Sequence, residues 1–293
     1  MIVVTAPTGN IGSQVIPQLL AAGEQVRVVA RHPEKLSPAI RGSVEVVQGS
    51  SDDAAVLDKA FAGARTLFWL IPFPMNVTDV REHYLRFSLP AAEAIRSRGV
   101  RRVVAISGLY GRLLAGSVGM QPAAFAPEAV IADAGAACRA LWCASFMENL
   151  LQQIPAIRRQ GAFFGSSRPD LKKPLVATRD IAAMAAKLLL DESWTGQGGE
   201  AVMGPEDLSQ DDMAGIMSVV LGTPVRYQQI AGDVVKAGFM QAGGSATVAE
   251  WLVEMQAEAD KDPHGSVPRA PENTTPTSFR QWCEKVLKPA FER

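Results

Sequence analysis

The chain has 293 residues, 47% of them hydrophobic and 20% charged, with a formal net charge of −1. That is enough apolar material for one large core with an appended lobe, and the charge is too balanced to hold nucleic acid or anionic lipid by a global field. No apolar run reaches membrane-span length, and Cys138, Cys143 and Cys283 lack the spacing of a disulfide framework or a zinc site.

In chain order, Ile2–Thr5 reads as a strand with no basic or signal-type stretch around it, which together with the cysteines predicts a cytoplasmic protein outside any membrane. Ile11–Ala22 reads as a helix closed by Gly23, with Pro17 tolerated near its start as a kink. Strands follow at Gln25–Ala30, Val44–Gln48, Thr66–Ile71 and Arg102–Ser107, with helices at Ala54–Phe61 and Val80–Ser97, the latter closed by Gly99. Strand, helix, strand at this spacing predicts a parallel sheet with right-handed crossovers.

The second half is less regular. Ala137–Ala144 reads as a strand, and Asp180–Leu190, Gln210–Leu221, Ala231–Gly244 and Thr247–Ala259 read as helices. A loop from Asp262 to Thr277 precedes a last helix around Phe279–Leu287. The expected fold is α/β: a Rossmann-type doubly wound parallel sheet with a smaller C-terminal lobe. The expected domains are a dinucleotide-binding unit over 1–155, completed by a segment returning near 175–203, and a substrate or partner lobe made mainly of 156–293.

The stretch Val3–Val15, VVTAPTGNIGSQV, follows a strand and opens a helix, the setting that turns a glycine pattern into a phosphate site. A pyrophosphate needs bare backbone N–H groups at a helix N-terminus. A side chain at Gly9 would stand between backbone and phosphate, and one at Gly12 would push the helix off the sheet. Thr8 and Asn10 are short polar residues able to bond phosphates or pin the turn. Where the full pattern has its first glycine, this chain has Ala6, followed by Pro7. At the end of the second strand, where an NAD site places a carboxylate for the ribose, the sequence reads Arg31, His32 and, further on, Lys35. A guanidinium there pairs with a 2′-phosphate, which favours NADP(H) over NAD(H).

With these residues in view, the chain resembles the NmrA-like branch of the atypical short-chain dehydrogenases over nearly its whole length. The resemblance runs through TAPTGNIGSQVIPQLLAAG, VRVVARHPEKL, QGSSDDAAVLDKAFAG, RRVVAISG, SFMENLL and LVATRDIAAMAAKLLL. It implies dinucleotide contacts from Thr8, Gly9, Asn10, Ile11 and Gly12, and from Arg31 and Lys35. It also implies that Leu70, Ile71 and Pro72 border the ribose and nicotinamide. The family's adenine-binding Asp falls at Ser50, with Ser51 or Asp52 as substitutes.

The family's wider superfamily uses a Tyr-x-x-x-Lys pair for proton transfer. Tyr84, Tyr110 and Tyr227 are followed at that spacing by Ser88, Leu114 and Ala231, so no such pair exists. Ser107 and Tyr110 are the candidate catalytic groups, equally readable as a strand-end cap and a loop aromatic. Hydride transfer needs only a nicotinamide and an electrophile held face to face. The expectation is therefore an NADPH-dependent reductase of quinone-like or conjugated acceptors, monomeric or homodimeric. A non-catalytic NADP(H)-sensing regulator acting through a protein partner is the alternative.

The candidate substrate wall is Phe73, Met75, Trp142, Phe146 and Met147 with Phe163 and Phe164, and Asn76 and Asn149 are candidate amide donors. His32, His83 and His264 are too scattered for a metal site. Neither Gly116–Gly119 nor Ala242–Ser245 frames a nucleophilic serine.

Overall fold

The computed structural model describes residues 1–110 and 130–293. Its elements in chain order are β1 (Ile2–Val4), α1 (Gly12–Ala21), β2 (Val26–Ala30), α2 (Pro38–Arg41), β3 (Glu45–Gln48), α3 (Ala54–Phe61), β4 (Thr66–Trp69), α4 (Val80–Arg98), β5 (Arg102–Gly108) and β6 (Ala137–Cys143). There follow β7 (Ser145–Phe146), α5 (Ile154–Gln160), β8 (Ala162–Gly165), β9 (Lys173–Val176), α6 (Thr178–Leu190), β10 (Gln197–Val202), β11 (Asp207–Leu208), α7 (Gln210–Leu221) and β12 (Arg226–Gln229). Four further helices close the chain: α8 (Gly232–Gln241), α9 (Ala246–Lys261), α10 (Phe279–Trp282) and α11 (Lys288–Glu292).

Seven strands form one sheet in the order β10-β6-β5-β4-β1-β2-β3, every pairing parallel. This is the doubly wound Rossmann arrangement, and its strand order reverses between β1 and β4, where such sheets leave a crevice for a ligand at their carboxyl ends. Alternation along the strands feeds two cores. Ile2, Val4 and Phe68 join α1 and α6 on one face, while Val3, Leu67 and Trp69 join α3 and α4 on the other. Each fully buried Val or Ile contributes about 1.5–3 kcal/mol, so a one-residue slip in β1 would exchange the two faces and forfeit both.

Local chemistry sets the element ends. Asp53 caps α3 by accepting from the amides of Ala55 and Val56, and Asp79 caps α4 through Glu82. Gly23 and Gly99 take left-handed φ of 79° and 68° and stop α1 and α4. Helix α1 stays helical through Pro17. Strand β4 ends at Trp69, two residues short of the expected Ile71, because the Leu70 amide turns to the Thr5 hydroxyl at 2.9 Å. Helix α6 starts at Thr178, ahead of Asp180. Asp180 is instead buried, accepting from the Thr277 amide and hydroxyl at 2.9 and 2.7 Å. The last helix widens into a π-turn at Cys283–Leu287 and runs on to Glu292, beyond the expected end.

The later segments build a smaller core from Met147, Ile157, Phe163, Met217, Phe279 and Trp282, among others. The Glu148 carboxylate joins this core to α6, accepting from the Thr178 amide at 3.0 Å and the Trp282 indole at 3.1 Å. Helices α8 and α9 form a hairpin broken at Gly243, whose φ is 92°. It docks on the segment after β4: Ser245 donates from its amide to Met75 and from its hydroxyl to Val77.

Candidate functional site

The glycine turn lies at the carboxyl end of β1. Gly9 donates to the Ala6 carbonyl at 3.1 Å and accepts from Ser13 at 3.1 Å, which bends the chain from strand into α1. Ile11 stands at the N-cap with no side-chain cap, and no acidic residue occupies the first turn. The opening amides of a helix have no intrahelical partner, so this end is left electropositive. Thr8 and Asn10 are exposed beside it, and Ile11 and Gly12 are buried beneath.

The two glycines differ in kind. A β-carbon on Gly12 would run into the Ala6 carbonyl oxygen and come within 3.2 Å of Pro7 Cα. Gly12 therefore makes room for the turn itself, and the expectation that it spaces helix from sheet is corrected: the neighbour it clears is the Ala6–Pro7 backbone. A β-carbon on Gly9 would meet only the Ala6 oxygen, at an ordinary 3.4 Å. Nothing among the described residues requires glycine there. Ala6, standing where the full pattern has its first glycine, holds a left-handed φ of 48°, a conformation that strains an alanine.

Thr5, fully buried, clamps this turn to β4: its hydroxyl contacts the Phe68 and Leu70 carbonyls at 3.2 Å each and accepts from the Leu70 amide. The clamp sets the glycine turn against Leu70, Ile71 and Pro72, all half-buried. Sequence reasoning missed Thr5, although a hydroxyl on the last turn before a glycine loop is a visible signal.

Arg31 and Lys35 are exposed at the end of β2, and neither has an ion-pair partner among the described residues. His32 faces Glu34 at 3.1 Å. Beyond β3, Ser50 is half-buried and Ser51 is buried, while Asp52 is engaged with Arg86 at 3.3 Å. Asp53 is occupied as a cap, so the carboxylates here are committed to structure and the two serines are the remaining polar groups.

Phe73 is half exposed, its ring 6.4 Å from Phe239 and 6.1 Å from Trp251, so it meets the α8–α9 hairpin. Met75 is exposed beside it. Asn76 lies in a separate depression with Thr78, Asp79, His83 and Arg86. His83 was not singled out by sequence as a site residue, yet its Nε2 lies 2.9 Å from the Pro72 carbonyl oxygen and its buried Nδ1 has no partner among the described residues.

Ser107 sits at the end of β5 with its hydroxyl buried and unpartnered among the described residues. Tyr110 is a core residue, 6% exposed, and burial, then the carboxylates of Asp207, Asp260 and Asp262, push its phenol far above the ordinary range. A phenol held this way keeps its proton at neutral pH, and its hydroxyl, like that of Ser107, is buried with no partner among the described residues. The Gly116–Gly119 run lies outside the described residues.

The candidate substrate residues divide. Phe146 and Asn149 line one cavity of about 210 Å³, together with Met147, Phe163 and Phe164. Trp142 does not join them: its indole lies where a side chain on Gly199 of the neighbouring strand would stand, so it covers β10. Phe73, Met75 and Asn76 lie outside this cavity as well. What sequence reasoning missed is a polar cluster on the cavity wall. Lys173 donates from Nζ to Ser167 Oγ at 2.8 Å and to Asp260 Oδ1 at 2.7 Å. Tyr227 donates to the Ser167 carbonyl at 2.8 Å. These residues come from β9, β12, α9 and the loop after β8, so no local spacing could announce them.

Among the described residues no group of His, Cys, Asp and Glu gathers as metal ligands, and no helix is long and apolar enough to cross a membrane. Compared with known proteins, the chain is 30% identical to a (4-alkanoyl-5-oxo-2,5-dihydrofuran-3-yl)methyl phosphate reductase of Streptomyces griseus, over 96% of each chain. It is 26% identical to an NAD(P)H azoreductase of Xenophilus azovorans, over 89% of this chain and 88% of that one. Its fold matches that of an NADPH-dependent quinone oxidoreductase from Escherichia coli solved with NADPH, with a TM-score of 0.79 at 22% identity, over 98% of this chain and all of that one. The model of the NmrA-like family matches residues 1–267, and the chain belongs to that family.

Proposed function

We propose that this protein is an NADP(H)-dependent oxidoreductase that passes hydride to a quinone-like or otherwise conjugated small molecule without a Tyr-Lys pair. The observation that carries the reading is Gly9: its conformation is ordinary and the described residues leave room for a β-carbon, so its glycine answers to a bound group rather than to these neighbours. A pyrophosphate packed against the backbone is such a thing. The named activities of the relatives, reductases of a phosphorylated dihydrofuranone and of azo compounds, agree with it.

In this reading Thr8, Gly9, Asn10, Ile11 and Gly12 hold the pyrophosphate. Arg31 and Lys35, free of competing carboxylates among the described residues, hold the 2′-phosphate. Ser50 and Ser51 lie against the adenine end, and Leu70, Ile71 and Pro72 fix the ribose and nicotinamide. Ser107 offers a hydroxyl at the end of β5 that has no partner among the described residues. When bound, the reduced nicotinamide supplies the hydride. The chain's part is to place an acceptor against it and exclude water. The segment 1–155 with the returning 175–203 forms the dinucleotide domain, and 156–293 mainly supplies the acceptor lobe. The protein works in the cytoplasm, as a monomer or homodimer, on a small molecule.

Anaerobic mixing of the protein with NADPH and a panel of quinones, enones and dyes tests this. Loss of nicotinamide absorbance above the blank with at least one class is expected. NADPH binding with no oxidation by any acceptor would overturn the enzymatic reading in favour of a regulator that senses NADP(H) and acts through a protein partner.

A further inference from the structure

We propose that the cavity lined by Phe146, Asn149, Phe163, Phe164, Lys173 and Tyr227 is the acceptor site, that it takes a neutral conjugated carbonyl compound, and that Lys173 holds the carbonyl oxygen and protonates it. The proposal rests on the oxidoreductase reading above.

Lys173 is 7% exposed, an expensive place for an ammonium unless it is paired. Asp260 supplies the pairing, and its Oδ1 also accepts from the Ser167 hydroxyl and from Gln256 Nε2, each at 2.9 Å. The Lys173 nitrogen is therefore fixed from several sides. An ammonium carries three N–H donors. Two go to Ser167 and Asp260, the third has no acceptor among the described residues, and Lys173 is part of the cavity lining. Lys173 is also the only cationic side chain among the described residues of that lining. Tyr227 cannot take its part, because its hydroxyl hydrogen is given to the Ser167 carbonyl and burial, with Asp260 and Asp211, holds the phenol protonated.

The ligand class follows from charge and shape. Asp260 neutralises Lys173, so the pair carries no net charge with which to hold a phosphate or carboxylate. A carbonyl oxygen brings no charge and gains as negative charge develops on it. Phe146, Phe163 and Phe164 supply apolar surface for a flat conjugated system. Phe146 lies three residues beyond the carboxyl end of β6, and the carboxyl ends of a parallel sheet are where its ligand crevice lies.

The step balances. Hydride from the reduced nicotinamide dinucleotide adds to the conjugated carbon, and the π pair moves to the carbonyl oxygen. Lys173 gives that oxygen a proton and becomes a neutral amine, which regains a proton from solvent beside Asp260. The acceptor gains two electrons and two hydrogens, and the nicotinamide is oxidised.

The test is equilibrium titration with 2-methyl-1,4-naphthoquinone, read by protein fluorescence with and without saturating NADP⁺, so that no turnover occurs. The wild type is compared with Lys173→Met/Asp260→Leu, which removes both charges and leaves neither uncompensated. The double variant is expected to melt as a folded protein and keep wild-type NADPH affinity, but to bind the naphthoquinone about tenfold more weakly or worse. A sulfonated naphthoquinone should bind the wild type more weakly than the neutral one. A double variant that binds and reduces the quinone as the wild type does would make the pair a structural tie and overturn the proposal. Tighter binding of the sulfonate would overturn the neutral-ligand claim. Absence of any dinucleotide binding would instead refute the oxidoreductase reading, with the quinone titration of the bare protein still deciding whether the cavity binds. Should Lys173→Met/Asp260→Leu not fold, Lys173→Gln is titrated in its place, with the same two outcomes.

Discussion

A β-carbon added to Gly12 would collide with the carbonyl oxygen of Ala6, whereas Gly9, three residues earlier, would accept one at ordinary contact distance. One glycine serves the fold and the other serves what the fold holds. Gly12→Ala is expected to destabilise the protein by about 1–3 kcal/mol through overpacking against rigid backbone. Gly9→Ala should leave stability unchanged or raise it by up to about 1 kcal/mol while sharply weakening dinucleotide binding. Chemical denaturation and nucleotide titration of both variants check this, and equal stability losses would contradict it.

Ala6 holds a left-handed φ of 48° that alanine adopts only with strain. Ala6→Gly should therefore relieve the turn and raise stability by about 0.5–1 kcal/mol, part of the relief being offset by a more flexible unfolded chain. A thermal melt reads the sign directly. Destabilisation would mean that the alanine methyl packs better than the strain costs.

Thr5→Val keeps the shape of the side chain but removes the acceptor for the Leu70 amide, which is held at 2.9 Å at a fully buried hydroxyl. Leaving that amide without a partner should cost about 1–3 kcal/mol. It should also loosen the Leu70–Pro72 segment, seen as faster hydrogen exchange at Leu70.

His83 gives a pH signature. Burial, the largest cause, holds its imidazole below the ordinary 6.5; Arg86 acts the same way, and the Pro72 contact and Asp52 pull upward. The depressed pKa means that the unfolded chain takes up this proton first. The contribution is fully present above pH 6.5 and is lost as pH falls from there through the folded value. The wild-type melting temperature should drop more steeply below pH 6.5 than that of His83→Asn, measured by circular dichroism.

Much of the fold was legible because it is local. The apolar run at Ile2–Thr5, the glycine at Gly23 and the glycine at Gly99 each act within a few residues, so strands and helices of the first half fall close to where the pattern puts them. Ends were less legible where a distant partner intervenes: β4 stops early because Leu70 bonds Thr5, 65 residues away. The glycine turn could be read for the same local reason, but which glycine clears which neighbour could not, since that depends on Ala6 taking a left-handed turn. Tyr110 looked available beside Ser107, and only the tertiary structure buries it. The Lys173–Asp260 pair joins residues 87 apart, and no motif spans that distance.

The central claim, that the turn before α1 and the arginine after β2 together hold NADP(H), is tested most directly by calorimetric titration of the wild type and Arg31→Glu with NADPH and with NADH. The account predicts saturable binding with NADPH ahead of NADH, and a loss of about 2–3 kcal/mol in Arg31→Glu for NADPH but little for NADH. No heat with either nucleotide, or the same loss for both, would contradict it.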